Sequence, residues 1–432
     1  MDELPTRVLT HAYWPAAGEA LIFDQTIGAA LRMTARDHGL RTALIDGTPG
    51  PPRQRWSYDD LLTACEQVAR ALLARFAPGE HVAVWSANCP EWILLELGAA
   101  LAGLVLVPVP PASTGPEVSH ILRHSCARGV FAQPVHRGRN LLATLAGNRG
   151  ALPALREVIS LGDWDHFVSD LSFTGALPTP APDDIAQIHY TSRHPGPPRG
   201  ACLTHRSLAN NSRLYARRLG ARSSDVWINP LPLCQTMSCA PVTLGALQTG
   251  GTHVLLPTFD ALLALSLLER KRGTIVPCDA AMLDLMLAHP EMTTFDLQAW
   301  RLVSLDTVPA ADLLRRARRA FGVKVAMGFG QPESSLFLAH TLPDELHATW
   351  PDTVGRPMPG AEVKIVDTAS GEIVPVHALG EICVRGAGTM RAYFADDSTD
   401  DAADGDDEAD GWRHTGQLGA MDAHGYLRLH RA

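Results

Sequence analysis

The stretch that decides the fold runs H-V-A-V-W (His81 to Trp85), P-E-W-I-L-L-E-L-G-A-A-L-A-G from Pro90, and L-V-L-V-P-V (Leu104 to Val109). The two short apolar runs read as buried strands, and the longer run between them reads as a helix. A β-α-β unit of this kind implies a parallel sheet covered by helices. Upstream, Trp56 to Phe76 has helical apolar spacing, with Ser57 as an N-cap ahead of Asp59 and Asp60.

Downstream, the Pro-rich stretch from Ala176 to Asp184 reads as the connection into a second α/β unit, with strands expected at Ile185 to Tyr190, Thr252 to Leu256, Gly273 to Val276 and Leu302 to Ser304. After about Asp352 the texture changes to shorter alternating strands, A-E-V-K-I-V-D and G-E-I-C-V-R-G, as expected of a small β-barrel-like subdomain. The expected division is residues 1–180 for a first α/β subdomain, 181–350 for a second and 351–432 for a small β subdomain. The acidic run from Asp396 to Gly411 has no apolar period and reads as a solvated loop.

With 432 residues and 46% hydrophobic content, the chain can bury a large core in two or three packed subdomains. A net charge of −9 and a pI near 6.0 argue against nucleic acid or an anionic membrane surface as the main partner. The first thirty residues contain no long apolar run, so neither a secretory signal nor a membrane span is expected, and the cytoplasm is the expected compartment. Eight cysteines lie scattered without a C-x-x-C pair, poor spacing for zinc and thin for a disulfide framework. They read as small buried hydrophobes. No G-x-S-x-G elbow surrounds Ser192, which argues against hydrolase chemistry there with His194 and His205.

Seven segments, in order along the chain, carry a more specific signal. They are the run from Pro90, H-Y-T-S-R-H-P-G-P-P-R-G-A-C-L-T-H from His189, N-P-L-P-L-C-Q-T from Asn229, G-F-G-Q-P-E from Gly328, V-G-R-P-M-P-G from Val354, G-E-I-C-V-R-G from Gly380 and G-W-R-H-T-G-Q-L from Gly411. Together they resemble the large N-terminal domain of the AMP-forming acyl-CoA ligases, within the adenylate-forming superfamily, over nearly the whole chain. The resemblance implies two parallel-sheet α/β subdomains and a small β subdomain. It also implies attack of a carboxylate on ATP, giving an acyl-adenylate and pyrophosphate, then transfer of the acyl group to the thiol of coenzyme A or of a phosphopantetheine carrier protein. ATP or AMP, magnesium, an acyl or aryl acid or its thioester, and a carrier or partner enzyme are the implied ligands and partners.

Site residues follow from the same resemblance. Thr191, Ser192, Arg193, His194, Gly196, Arg199 and Gly200 stand in the phosphate cradle, where Arg193 takes the place of a glycine, His194 that of a hydroxyl residue, and Pro195 removes a donor N–H. Leu305 and Asp306 fall in the adenine-binding strand and loop, where glycines would leave room for a purine, and Gly328, Phe329 and Gly330 lead to Glu333, the implied magnesium carboxylate, now preceded by Pro332. Gln417 stands where the family has a ribose-binding aspartate and offers a neutral amide in its place. Cys234, Gln235 and Met237, with Val303 and Leu305, are expected to line the acyl pocket. The chain closes beside the family's hinge, so the small C-terminal domain with its adenylation lysine is expected to be absent.

Three functional readings result. The replaced nucleotide residues favour a non-adenylating homologue that binds an acyl or thioester ligand or a protein partner in a biosynthetic pathway. The second is a working acyl-CoA ligase whose C-terminal domain is missing from this chain. The third is a structural subunit of another enzyme.

Overall fold

The structure is a computed structural model that describes residues 8–17, 21–50, 54–191, 198–343, 345, 353–394 and 410–430. The acidic run lies outside these residues apart from Asp410 and Gly411.

The deciding stretch forms the strand His81–Trp85, the helix Pro90–Ala102 and the strand Val105–Val109, and the two strands pair in parallel. Pro90 opens the helix, where its missing N–H would have had no partner. Gly103 closes it in the left-handed conformation at φ 68°. Every residue of Val105–Val109 is buried, which explains the unbroken apolar run: helices cover both faces of the sheet. The preceding helix, Tyr58–Leu73, starts on a capping box in which Ser57 and Asp60 satisfy each other's backbone N–H groups.

These strands belong to a six-stranded sheet ordered Arg199–Thr204, Ile185–Thr191, Val105–Val109, His81–Trp85, Gly129–Ala132 and Glu157–Ser160. It is parallel except for the Ile185–Thr191 and Arg199–Thr204 pair.

A second sheet holds fourteen strands among the described residues. Its parallel part runs through Thr42–Asp46, Thr252–Leu255, Val226–Asn229, Ile275–Cys278, Leu302–Leu305 and Lys324–Gln331. From Lys324–Gln331 onward it becomes antiparallel and takes in Leu336–His340, Thr353–Pro357, Ala361–Val366, Gly380–Gly386, Arg413–Met421 and Leu427–Leu429. The short strand Tyr13–Trp14, from the head of the chain, adds to this array beside Ala361–Val366. Lys324–Gln331 thus joins a parallel α/β sheet to an antiparallel one, and the turn that follows it carries Glu333.

The cysteines are all free thiols, five of them buried and three partly so. No helix among the described residues is long and apolar enough to cross a membrane.

Candidate functional site

Strand Lys324–Gln331 reverses into Leu336–His340 through the short turn Pro332–Ser334, with a register shift between Phe329 and Gly330. A Cβ at Gly330 would lie 1.1 Å from the carbonyl oxygen of Leu336, so only glycine fits there. Ser335 (φ 50°) and Leu336 (φ 89°) both take positive φ, the strained backbone that a reversal this tight demands. Pro332 stands at the first position of the turn, where its fixed φ suits the bend. Gly328 packs on the rings of Phe337 and His340, and Phe329 is buried against the antiparallel part of the sheet.

This turn directs Glu333 inward. The side chain is buried, its Oε1 accepts from the Tyr393 hydroxyl at 2.9 Å, and its carbonyl accepts from the Met390 N–H. Its Oε2 is buried and has no hydrogen-bond partner among the described residues. An orphaned carboxylate oxygen of this kind is a place for a cation or a donor. Magnesium is commonly held through one or two carboxylates together with substrate phosphates and waters, so a lone glutamate fits it without a protein cage. Among the described residues no group of three or more His, Cys, Asp or Glu side chains could hold a metal.

Arg199 reaches the same place from the other sheet: its guanidinium lies 3.6 Å from the centre of the Tyr393 ring, within cation–π range. Gly200 pairs with Tyr190 and accepts from the Phe394 N–H, so the segment 390–394 is laced to both sides. Thr191 ends its strand, buried. Ser192, Arg193, His194 and Gly196 lie outside the described residues, as does Pro195. Tyr393 is the residue that the sequence reading missed.

Where the resemblance implied a ribose contact, Gly416 takes φ 66° and donates its N–H to Glu381 Oε1 at 2.8 Å. The Thr415 carbonyl accepts from Gln331 Nε2 at 2.8 Å. Gln417 is half-buried, and its amide donates to the carbonyls of Leu418 (3.0 Å) and His430 (3.1 Å). The side chain is therefore tied to its own sheet by the N–H groups that an aspartate lacks.

Strand Leu302–Leu305 is buried throughout, and alternation sends its side chains to opposite faces. Leu302 packs with Trp227 and Met237, and Ser304 on that face accepts from the Tyr215 hydroxyl at 2.8 Å. Val303 and Leu305 pack on the other face with Val276 and Val325. The structure therefore does not bring Val303 and Leu305 together with Met237, the grouping expected for the acyl pocket. A shift of one residue in the strand's phase separates them. Asp306 follows at the strand's end, partly exposed, where ligands collect in parallel sheets.

The turn expected as a pocket wall presents Cys234 half-buried, Gln235 exposed and Met237 buried. Asn88 holds it, donating to the carbonyls of Leu231 and Leu256 and accepting from the Leu233 N–H at 2.7 Å.

Sequence comparison matches residues 31–394 to the family described as AMP-binding enzyme. The chain is 31% identical over 422 residues to the 3-((3aS,4S,7aS)-7a-methyl-1,5-dioxo-octahydro-1H-inden-4-yl)propanoyl:CoA ligase of Mycobacterium tuberculosis, covering 94% of this chain and 78% of that one. It is 26% identical over 446 residues to the mitochondrial medium-chain acyl-CoA ligase of Rattus norvegicus, covering 94% and 71%. A long-chain-fatty-acid-CoA ligase from Archaeoglobus fulgidus superposes with a TM-score of 0.86 over 98% of this chain and 86% of that one. At 18% identity, that likeness speaks for the fold alone. The chain belongs to the AMP-binding enzyme family.

Proposed function

We propose that this chain is the large domain of an AMP-forming acyl-CoA ligase, taking a carboxylic acid with ATP and magnesium and serving acyl transfer to coenzyme A. The observation that carries this reading is Glu333, buried at the end of Lys324–Gln331 with one oxygen held by Tyr393 and the other without a partner among the described residues. The acyl-CoA ligase names of its relatives support the same reaction.

In this reading Glu333 would hold the magnesium ion, which when bound neutralises triphosphate charge. Tyr393 fixes the carboxylate's orientation, and Arg199, stacked on Tyr393, adds positive charge beside it. Asp306, at the strand end, would face the nucleotide, and the Cys234–Met237 turn would bound the acid. Pyrophosphate release over a panel of fatty and aromatic acids tests the reaction. Thermal shift with ATP and magnesium tests binding, since a ligand of the folded state raises its stability by mass action.

One observation favours a second reading, a homologue that binds acyl groups or thioesters without adenylating them. The Gln417 amide is committed to Leu418 and His430, so a charged ribose acceptor is replaced by a neutral group already in use. A thermal shift with acyl-CoA but none with ATP and magnesium would select it.

A further inference from the structure

Strand Ile185–Thr191 turns Gln187 and His189 to one face, both buried. Glu96, 1% exposed in the apolar helix Pro90–Ala102, meets them there. Gln187 Nε2 donates to Glu96 Oε1 at 2.7 Å, His189 Nε2 lies 2.7 Å from Gln187 Oε1, and His189 Nδ1 lies 3.0 Å from Thr236 Oγ1.

Chemistry sets the direction of this chain. With its amide hydrogen given to Glu96, Gln187 turns a carbonyl to His189, so the imidazole carries its hydrogen on Nε2. Nδ1 is then a bare acceptor, and the Thr236 hydroxyl must donate to it. Burial supports the neutral ring by pushing His189 down to about 3. Three elements are thereby joined in one polarised line: a helix of the first sheet's cover, the strand that runs into the phosphate segment, and the turn at Thr236.

That turn leads into a rare piece of backbone. Ser238–Leu244 is a π-helix containing Pro241, a geometry found mostly as short insertions and frequently at functional sites. Asn88 and Asn229 hold the turn's earlier part, and the His189–Thr236 bond holds it just before the π-helix begins.

Resting on the ligase reading, which makes Cys234–Met237 a wall of the acid pocket, we propose that His189 is a positioning residue that locks this wall through Thr236 and so sets which carboxylic acids fit. Glu96 and Gln187 act behind it by fixing the imidazole's tautomer.

The test compares His189→Leu with His189→Gln in the full chain. Glutamine can still accept from Thr236 and donate to Gln187. Hydrogen exchange is followed in peptides covering 233–245, with the strand His81–Trp85 as internal standard. Pyrophosphate release is measured over aliphatic and aromatic acids. In His189→Leu, exchange across 233–245 should rise about tenfold with His81–Trp85 unchanged, and the ratio of kcat/KM between acids should shift about tenfold with KM for ATP unmoved. His189→Gln should retain wild-type behaviour in both. Wild-type exchange, or an opened turn with an unaltered acid ratio, overturns the proposal. If the wild-type chain activates no acid, the ligase reading alone has failed; the exchange arm, with the rank order of acyl-CoA binding in place of activity, still decides this one. Should His189→Leu not fold, Thr236→Val removes the same bond with little change in shape and carries the same expected outcomes.

Discussion

The Tyr393 hydroxyl donates to Glu333 Oε1 at 2.9 Å, while the face of the same ring carries the Arg199 guanidinium at 3.6 Å. One aromatic side chain thus couples the Arg199 cation to the carboxylate proposed above to hold magnesium. Glu333→Gln should remove the thermal shift given by ATP with magnesium and lower pyrophosphate release by about 100-fold or more. Tyr393→Phe keeps the carboxylate and the ring, so its loss should be nearer tenfold. Equal losses in the two variants would contradict this division of roles.

Gln417→Asp restores an anionic acceptor and removes the amide that binds Leu418 and His430. Affinity for ATP, read by isothermal titration, should tighten by about tenfold. Unchanged or weaker binding would mean that Gln417 does not face the ribose.

Glu96 links the fold to pH. Burial raises its carboxyl from 4.5 to about 8, against the opposing hydrogen bond from Gln187. Between these values the folded state holds a proton that the unfolded chain has released. This contribution to stability is fully present below about 4.5 and disappears as pH rises through about 8. Glu96→Gln removes the titration, so its melting temperature relative to wild type should climb by several degrees from pH 5 to pH 8. A constant difference across that range would refute the assignment.

Acid acts through other groups. Burial holds His189, His253 and His340 near 3 and His205 near 4, all below the usual 6.5. In the unfolded chain each takes up a proton below 6.5. Their contribution is therefore complete above that pH and declines as pH falls toward 3. Urea denaturation at pH 7, 6 and 5 should show the midpoint dropping at each step; a flat profile would be inconsistent with four buried neutral imidazoles.

Gly330→Ala places a methyl group against the Leu336 carbonyl and should cost about 3 kcal/mol or more, read as a lower urea midpoint. Gly138→Ala, at an open position with φ 80°, supplies the comparison and should cost only about 1 kcal/mol.

The β-α-β unit was legible because its apolar runs are bounded by Pro90 and Gly103, which stop a helix at either end for stereochemical reasons. Glu333 was legible from the order of motifs. Tyr393 was not: it lies 60 residues further on, and only the fold brings the two together. The side on which Val303 and Leu305 lie was hidden for a different reason. A strand buried on both faces carries no clear alternation from which its phase can be read. Glu96 did leave a trace, an acid in the middle of an apolar helix, but its partner Gln187 comes 91 residues later, with His189 beyond it. The readings at Ser192, Arg193, His194 and Gly196 fall outside the described residues.

Tyr13 and Trp14 pair with Lys364 and Val363, and a Cβ at Gly425 would strike the Trp14 ring. The Ala361–Val366 edge is therefore covered by a strand from a distant part of the sequence. Without that strand the outer edge of the antiparallel array would stand open to stray pairing, as unpaired edges do. Deleting Tyr13 and Trp14 would bare this edge and the space over Gly425 together.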